Sequence, residues 1–502
     1  MSEFDVVIVG AGPVGLLLAC ELGLAGCSVL VLEREIAPHS PWRAEPLGNR
    51  GLFSTSIGAF DRRGLLPALR KVSGLPGGVD RDEPARVRFA GHFAGIGIDP
   101  ANIDFDALSF RLPSPTPDSM MTSLDAIETV LSERASELGV QVRYGVAVSG
   151  IAQDSRGVSV HGGDREFRAR WVVGCDGGRS TVRKLGEFEF VGTEPQFTGY
   201  SLLASLVEPH ELRFGFTLTP TGMYLLRPGG LISMMDFDGG AFDRAQQPTV
   251  DQLTTVLRRV SGTEVTVNEV RHASTFTDRA MQASTYRRGR ILLAGDAAHI
   301  HSPLGGQGLN TGLGDAMNLG WKLAATVHGD APDGLLDTYT AERHPIGAHV
   351  LDWSRAQVTA MRPDPSSQAI QAVIRDFIAT RDGSTYVFET ITGLATRYDL
   401  GGAHPLIGRN APDFRLDDGS RLADLMYDGL GVALDFSDDH RLRGSAAHWH
   451  NRIRYTAGPV HDDLGLAAVL IRPDGIVAWA CDDDIDPTAF EHAATRWFGS
   501  VD

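Results

Sequence analysis

Short apolar runs that end in glycine recur along this chain, and the first sets the pattern. Residues 5–9, DVVIV, are β-branched and almost wholly apolar, as expected of a parallel strand buried on both faces. Gly10, Gly12 and Gly15 follow, with Pro13 between them. A helical pattern then runs to about Gly26, a second strand SVLVL occupies 28–32, and Glu33 stands at its end. WVVGCDG at 171–177 and RILLAGDAAH at 290–299 are further apolar strands, ending in Asp176-Gly177 and Gly295-Asp296. After the last of these come Pro303 and the Gly305, Gly306, Gly308 run, then Leu313, Met317, Leu319, Trp321 and Leu323 at helical spacings. Between about 188 and 286, stretches such as GYSLLASLV, GMYLLRP and GGLISMMDF alternate with turn residues and read as antiparallel strands. From TYTAERHP onward the chain reads as helical to about 395, interrupted at Pro363 and Pro365.

Strand, G-x-G-x-x-G, helix, strand and terminal acid within some thirty residues describe a dinucleotide site. The glycines permit a tight turn and close approach of a pyrophosphate, the helix N-terminus supplies free N–H groups, and Glu33 suits a ribose diol. An acid at 33 favours the unphosphorylated ribose of FAD or NAD over that of NADP. The flat glycine run at 303–308 suits a planar ring, with the N–H groups of Gly308, Leu309 and Asn310 near a helix N-terminus and able to stabilise negative charge. An Asp at a strand end is otherwise an ordinary helix cap, and that reading stays open for Asp176 and Asp296.

Charge and length narrow the class. The 502 residues imply several cores, and 63 Asp plus Glu against 46 Lys plus Arg give a net charge of −17. Nucleic acid and anionic membranes are therefore not expected as partners. Cys20, Cys27, Cys175 and Cys481 show no metal or disulfide spacing. Glu3 and Asp5 precede the apolar N-terminal run where a signal peptide would carry positive charge, so the expected location is the cytoplasm.

All three motifs together resemble the FAD fingerprints of the single-component, class A aromatic hydroxylases related to p-hydroxybenzoate hydroxylase. HFAGIGID at 92–99 and YDLGGAHPLIGR at 398–409 resemble the angucycline and anthracycline polyketide hydroxylases in particular. The fold this implies is α/β: a Rossmann-like FAD-binding domain of the glutathione-reductase type (1–187 and 287–395, the latter with a helical linker), an antiparallel β-sheet substrate domain (188–286) and a thioredoxin-like domain (396–502). The resemblance implies FAD held by Gly10, Gly12, Pro13, Gly15, Glu33, Arg34, Arg43, Val148, Asp176, Gly177, Asp296, Pro303, Gly308, Leu309 and Asn310. It places Arg43 between the ring and the entering nicotinamide as a positioning residue, with Arg50 a less specific counterpart. Leu124 stands where many relatives carry Gln. No second nicotinamide domain is present, GLPGGV at 74–79 lacking the context, so NADPH or NADH is expected as a transient co-substrate.

The implied sheet roofs the ring, with Tyr224 as candidate substrate contact and Met223, Leu226, Met234 and Met235 as further candidate lining. His299 and His301 are read as structural. The C-terminal domain has Cys481 as its only thiol and cannot exchange disulfides. The expected reaction is hydroxylation of a polycyclic phenol with NAD(P)H and O2 through a flavin C(4a)-hydroperoxide. The alternatives are Baeyer–Villiger insertion, antibiotic inactivation, or a flavin- or antibiotic-binding protein without turnover. Oligomeric state is open, a homodimer included.

Overall fold

A computed structural model describes residues 4–75, 91–108, 110–437 and 440–500. Of the segment 74–79, only Gly74 and Leu75 fall among them. The first core is an eight-stranded sheet in which five strands run parallel, in the order Ile291–Leu293, Arg165–Gly174, Phe4–Val9, Val29–Leu32, Gln141–Arg143. Val6 pairs with Val29 on one side and Trp171 on the other, so all three glycine-ended strands finish along the same edge of the sheet. The first strand is apolar throughout because both faces are covered: Val6, Val7 and Ile8 are fully buried. The Gly157–Gly162 and Val148–Asp154 strands form an antiparallel flap on the same sheet.

The middle domain is a five-stranded antiparallel sheet in the order Gly215–Thr219, Gly222–Arg227, Leu231–Asp236, Thr198–Val207, Thr266–Thr277. Its outer face is covered by the amphipathic helix Val250–Ser261, which buries Leu253, Val256, Leu257 and Val260. Strands Phe190–Thr193, Ala280–Ala283 and His299–Ile300 form a small sheet where the chain enters and leaves this domain.

Three helices follow the long helix Gln307–His328: Thr338–Met361, Pro365–Ile378 and Arg381–Thr392. Asp364 caps the second by accepting from the N–H groups of Ser366 and Ser367, with Pro365 at its first position, which explains why the chain breaks there. The C-terminal sheet runs in the order Ile453–Ala457, Gly431–Asp435, Ala468–Ile471, Val477–Cys481, with helix Pro487–Phe498 against it. All four cysteines are free. Among the described residues no helix is long and apolar enough to cross a membrane, and no cluster of metal-ligating side chains occurs.

Candidate active site

The turn after the first strand is forced by steric contact. Gly10 has φ +108°, and a Cβ on it would lie 2.4 Å from the Cys175 carbonyl oxygen; one on Gly15 would lie 2.0 Å from the Gly10 oxygen. A Cβ on Gly12 would meet nothing, so space stands open in front of this turn. Helix Pro13–Leu24 begins there with Gly12 as an N-cap that makes no side-chain bond, with no acid in its first turn. Its first N–H groups and positive dipole end therefore face that space uncompensated. Glu33 is buried beside it, one carboxylate oxygen accepting from the Ala11 N–H (2.7 Å) and the other from the Glu35 N–H (3.0 Å). Each oxygen keeps a lone pair for a diol. The backbone at Val146 donates to the Glu33 carbonyl, which brings the loop leading to Val148 alongside.

The Gly-Asp motif is built against the long helix. Asp315, fully buried on that helix, accepts from the Gly295 N–H (2.9 Å), from His299 (2.7 Å) and from Arg343 Nε (2.7 Å). Burial pushes the Asp315 carboxyl up, but the Arg343 and His299 charges outweigh it and hold the group below its ordinary range. His299 thus serves structure, as expected. Asp296 differs: among the described residues its carboxylate has no hydrogen-bond or ion-pair partner, and it opens onto the groove. Desolvation raises its pKa, with His299 and Arg50 pulling the other way. His301 donates from Nδ1–H to the Ser302 carbonyl (2.7 Å), while its buried Nε2 has no partner. Burial lowers its pKa to about 4, so the ring is neutral near pH 7, and donation from Nδ1–H leaves Nε2 a free acceptor.

Beyond Pro303, Gly305 (φ +81°) and Gly306 (φ +66°) turn the chain into the long helix, which starts at Gln307 without a side-chain cap. Gly308 sits in its first turn, where a Cβ would approach His301 Nε2 at 3.2 Å and Asp296 at 3.9 Å. Leu309 packs against the main core. The Asn310 side chain is committed to the protein: its oxygen accepts from the Phe53 N–H, and its amide donates to the carbonyls of Gly51 and Gly306. Asn310 therefore staples strand Asn49–Phe53 to the helix, and only its backbone is available to a ligand.

Arg43 pairs with Glu128 (2.9 Å), a buried residue of helix Leu124–Glu137. Burial lifts the Glu128 carboxyl to about 7, against the Arg43 charge. The Arg43 carbonyl receives the Asp125 N–H, and the Leu124 N–H bonds the Gly48 carbonyl, so the 43–48 loop is clamped to the start of that helix. Arg50 turns its guanidinium back onto the Leu47 and Asn49 carbonyls near Asp296. Asp176 takes the capping role. Its oxygens accept from Ser180 Oγ and from the N–H groups of Thr181 and Val182. Gly177, at φ +76°, has open space at its Cβ position. Arg183 bridges the two motifs, donating to the Ala297 and Gly178 carbonyls.

An unpartnered carboxylate, a buried acceptor nitrogen and two uncapped helix N-termini thus converge on one groove. Those are the groups that a ribityl chain, a pyrophosphate and an electron-accepting ring require, so the residues present fit FAD. A family model described as FAD binding domain matches residues 3–354, and one described as aromatic-ring hydroxylase, C-terminal, matches 404–501. The chain belongs to the FAD-binding aromatic-ring hydroxylases. A monooxygenase from Claviceps purpurea is 44% identical over 499 residues, covering 98% of this chain and 97% of that protein. Rifampicin monooxygenase from Streptomyces venezuelae is 40% identical over 519 residues, covering 99% of each. The solved structure of anhydrotetracycline hydroxylase from Streptomyces rimosus superposes with a TM-score of 0.86 at 36% identity, covering 99% of this chain and 100% of that one. The hydroxylase is an FAD-dependent monooxygenase, with reduced nicotinamide as co-substrate.

One expected substrate contact lies elsewhere in the hydroxylase. Tyr224 points to the outer face of the middle sheet, buried with Leu226 and Met234 under helix Val250–Ser261, its hydroxyl accepting from the Arg213 N–H. Strand alternation is the reason: Met223 and Met235 take the other face and pack with Phe53, Phe93, Leu304 and Trp353. Arg34, next to Glu33, is exposed and pairs with Glu35 (3.4 Å). Glu128, Asp315 and Arg343 do not announce themselves in the sequence. A charged residue within the apolar long helix was the one available signal for Asp315.

Proposed function

We propose that this monooxygenase hydroxylates a polycyclic phenol of the aromatic polyketide kind. The observation that carries the reading is an apolar and aromatic cluster that joins the middle sheet to the glycine run: Met223, Met235 and Phe197 pack with Phe53, Phe93 and Leu304, the last next to Pro303. Side chains of this kind beside the ring site suit a flat fused-ring substrate and exclude water. Anhydrotetracycline hydroxylase, the solved relative, has such a substrate in its name. FAD supplies the hydride acceptance and the oxygen chemistry when bound. The protein's share is electrostatic and geometric. Asp296 and neutral His301 accept hydroxyl protons, and the long helix directs its uncapped N–H groups toward developing negative charge. Arg43, fixed by Glu128, positions the ring or an anionic co-substrate.

The test is anaerobic flavin reduction by NADPH and NADH against a panel of anthraquinone- and angucycline-type phenols, followed by product analysis under air. Substrate-stimulated bleaching and a product one oxygen heavier with an intact carbon skeleton are expected. A panel that neither accelerates reduction nor yields product would reject the reading. The rifampicin relative favours a second reading, oxidation of a finished antibiotic, which the same assay separates by including a naphthohydroquinone ansamycin.

A further inference from the structure

A cavity of about 350 Å³ lies between the FAD-binding and C-terminal domains. It is lined by Gln307, Thr311, Gly314 and Asn318, which share one face of the long helix. Gly308, Gly312 and Asp315, which meet the Gly-Asp motif, lie roughly 100° around that helix, so the cavity opens on a different helix face from the flavin groove, although Asn310 also lines it. Arg62 lines it and is 9% exposed. Among the described residues its guanidinium has neither an ion-pair partner nor a hydrogen-bond acceptor, and its Nε is buried without one. The group lies flat on the Gly475 backbone, where a Cβ would meet its Cζ at 2.6 Å.

Each carboxylate around Arg62 is held by another cation. Asp474 is held by Arg472 (2.5 Å), Glu21 by Arg63 (2.7 Å), and Asp61 and Asp413 share Arg421 (2.9 and 2.6 Å). Burial further pushes the Asp413 carboxyl up, toward its neutral form. Of the other cations at the cavity, Arg343 belongs to Asp315, and Arg397 donates to the Ile407 carbonyl. Desolvation works against Arg62 in this state. The remaining wall is mixed, with Ala59, Met317, Ile346 and Val350 beside Thr55, His349, Tyr386, Thr390 and Asn410.

A buried guanidinium fork without a carboxylate of its own, facing a chamber with both apolar and uncharged polar side chains, matches a planar anion on a small hydrocarbon body. We propose that this cavity is a second ligand site, binding a small organic carboxylate of benzoate size through Arg62. The proposal does not depend on which phenol is hydroxylated.

The probe is sodium benzoate, titrated calorimetrically into the FAD-loaded enzyme at constant ionic strength, with inorganic phosphate as comparison. Saturable benzoate binding is expected, weakened at least tenfold in Arg62→Met and partly restored in Arg62→Lys, with flavin reduction unchanged. Because Arg62→Met removes an unmatched buried cation, its melting temperature in anion-free buffer should equal or exceed that of the parent. Absence of saturable binding in the parent, which needs no variant to observe, overturns the proposal. So does benzoate affinity unchanged in Arg62→Met, or a preference for phosphate.

Discussion

A carboxylate without a protein partner beside an imidazole nitrogen without one is the strongest single-residue argument for the flavin groove. Asp296→Ala removes a charge-assisted acceptor worth ~1.5–3 kcal/mol, so FAD should bind about ten to a hundred times more weakly to the apoprotein. Flavin fluorescence titration measures this, and unaltered affinity would show that Asp296 does not touch the cofactor. Glu128 allows a pH test. Its carboxyl titrates at about 7 in the folded protein against 4.5 ordinarily, so the native state holds this proton longer than the unfolded chain. Its contribution to stability is therefore greatest at low pH and declines as pH rises through about 7. The stability of Glu128→Gln relative to the parent should rise between about pH 5 and about pH 8, as read by urea unfolding at each pH. A pH-independent difference rejects the shift. At this scale the sequence was partly legible: Asp296 and Glu33 stand out at strand ends. Asp176 has the same local signature, yet its oxygens are spent on the helix it caps, which only the course of the following residues decides.

Elements were the most legible level, because strand, turn and helix are written in contiguous residues. The first turn separates two kinds of glycine. Gly15→Ala drives a Cβ into the Gly10 carbonyl and should yield little folded protein. Gly12→Ala has open space and an ordinary φ of −76°, so it should fold with a parent-like circular dichroism melt while losing FAD. Equal FAD affinity in Gly12→Ala would show that the pyrophosphate lies elsewhere. The middle sheet shows what element-level reading lacks. Alternation places Met223 and Tyr224 on opposite faces, but nothing in GMYLLRP says which face helix Val250–Ser261 will cover.

At the scale of the whole molecule, the C-terminal domain is locked on by buried charges. Arg472, fully buried, bonds Glu342 (2.8 Å) on helix Thr338–Met361 and Asp474 (2.5 Å), while Lys322 of the long helix reaches Glu342 (2.9 Å). Burial lowers the Lys322 ammonium to about 7; the Glu342 carboxyl, pushed up by burial, is held low by Arg472 and Lys322. Arg63 adds a second clasp, donating to Glu21 and to the Met426 and Pro473 carbonyls. Arg472→Met leaves buried Asp474 without an ion-pair partner and Glu342 with Lys322 alone, and should cost ~3–5 kcal/mol in urea unfolding. Arg134→Met breaks only a surface pair with Glu137 and should cost under about 1 kcal/mol. Similar losses for both would mean the interface is not held by charge. Through this arrangement a domain that lacks redox thiols acquires a structural role, closing the back of the long helix.

Composition and local pattern determined the cofactor motifs, the α/β class and the separate character of the last hundred residues, because close backbone approach, helix dipoles and strand burial depend on neighbours in sequence. Tertiary structure decided which polar groups remain free for a ligand. Glu342 meets Arg472 across 130 positions, Arg43 meets Glu128 across 85, and Arg62 is left without a partner among the described residues. A charge is spent or available only according to what the completed fold places beside it, since desolvation and pairing act through space rather than along the chain.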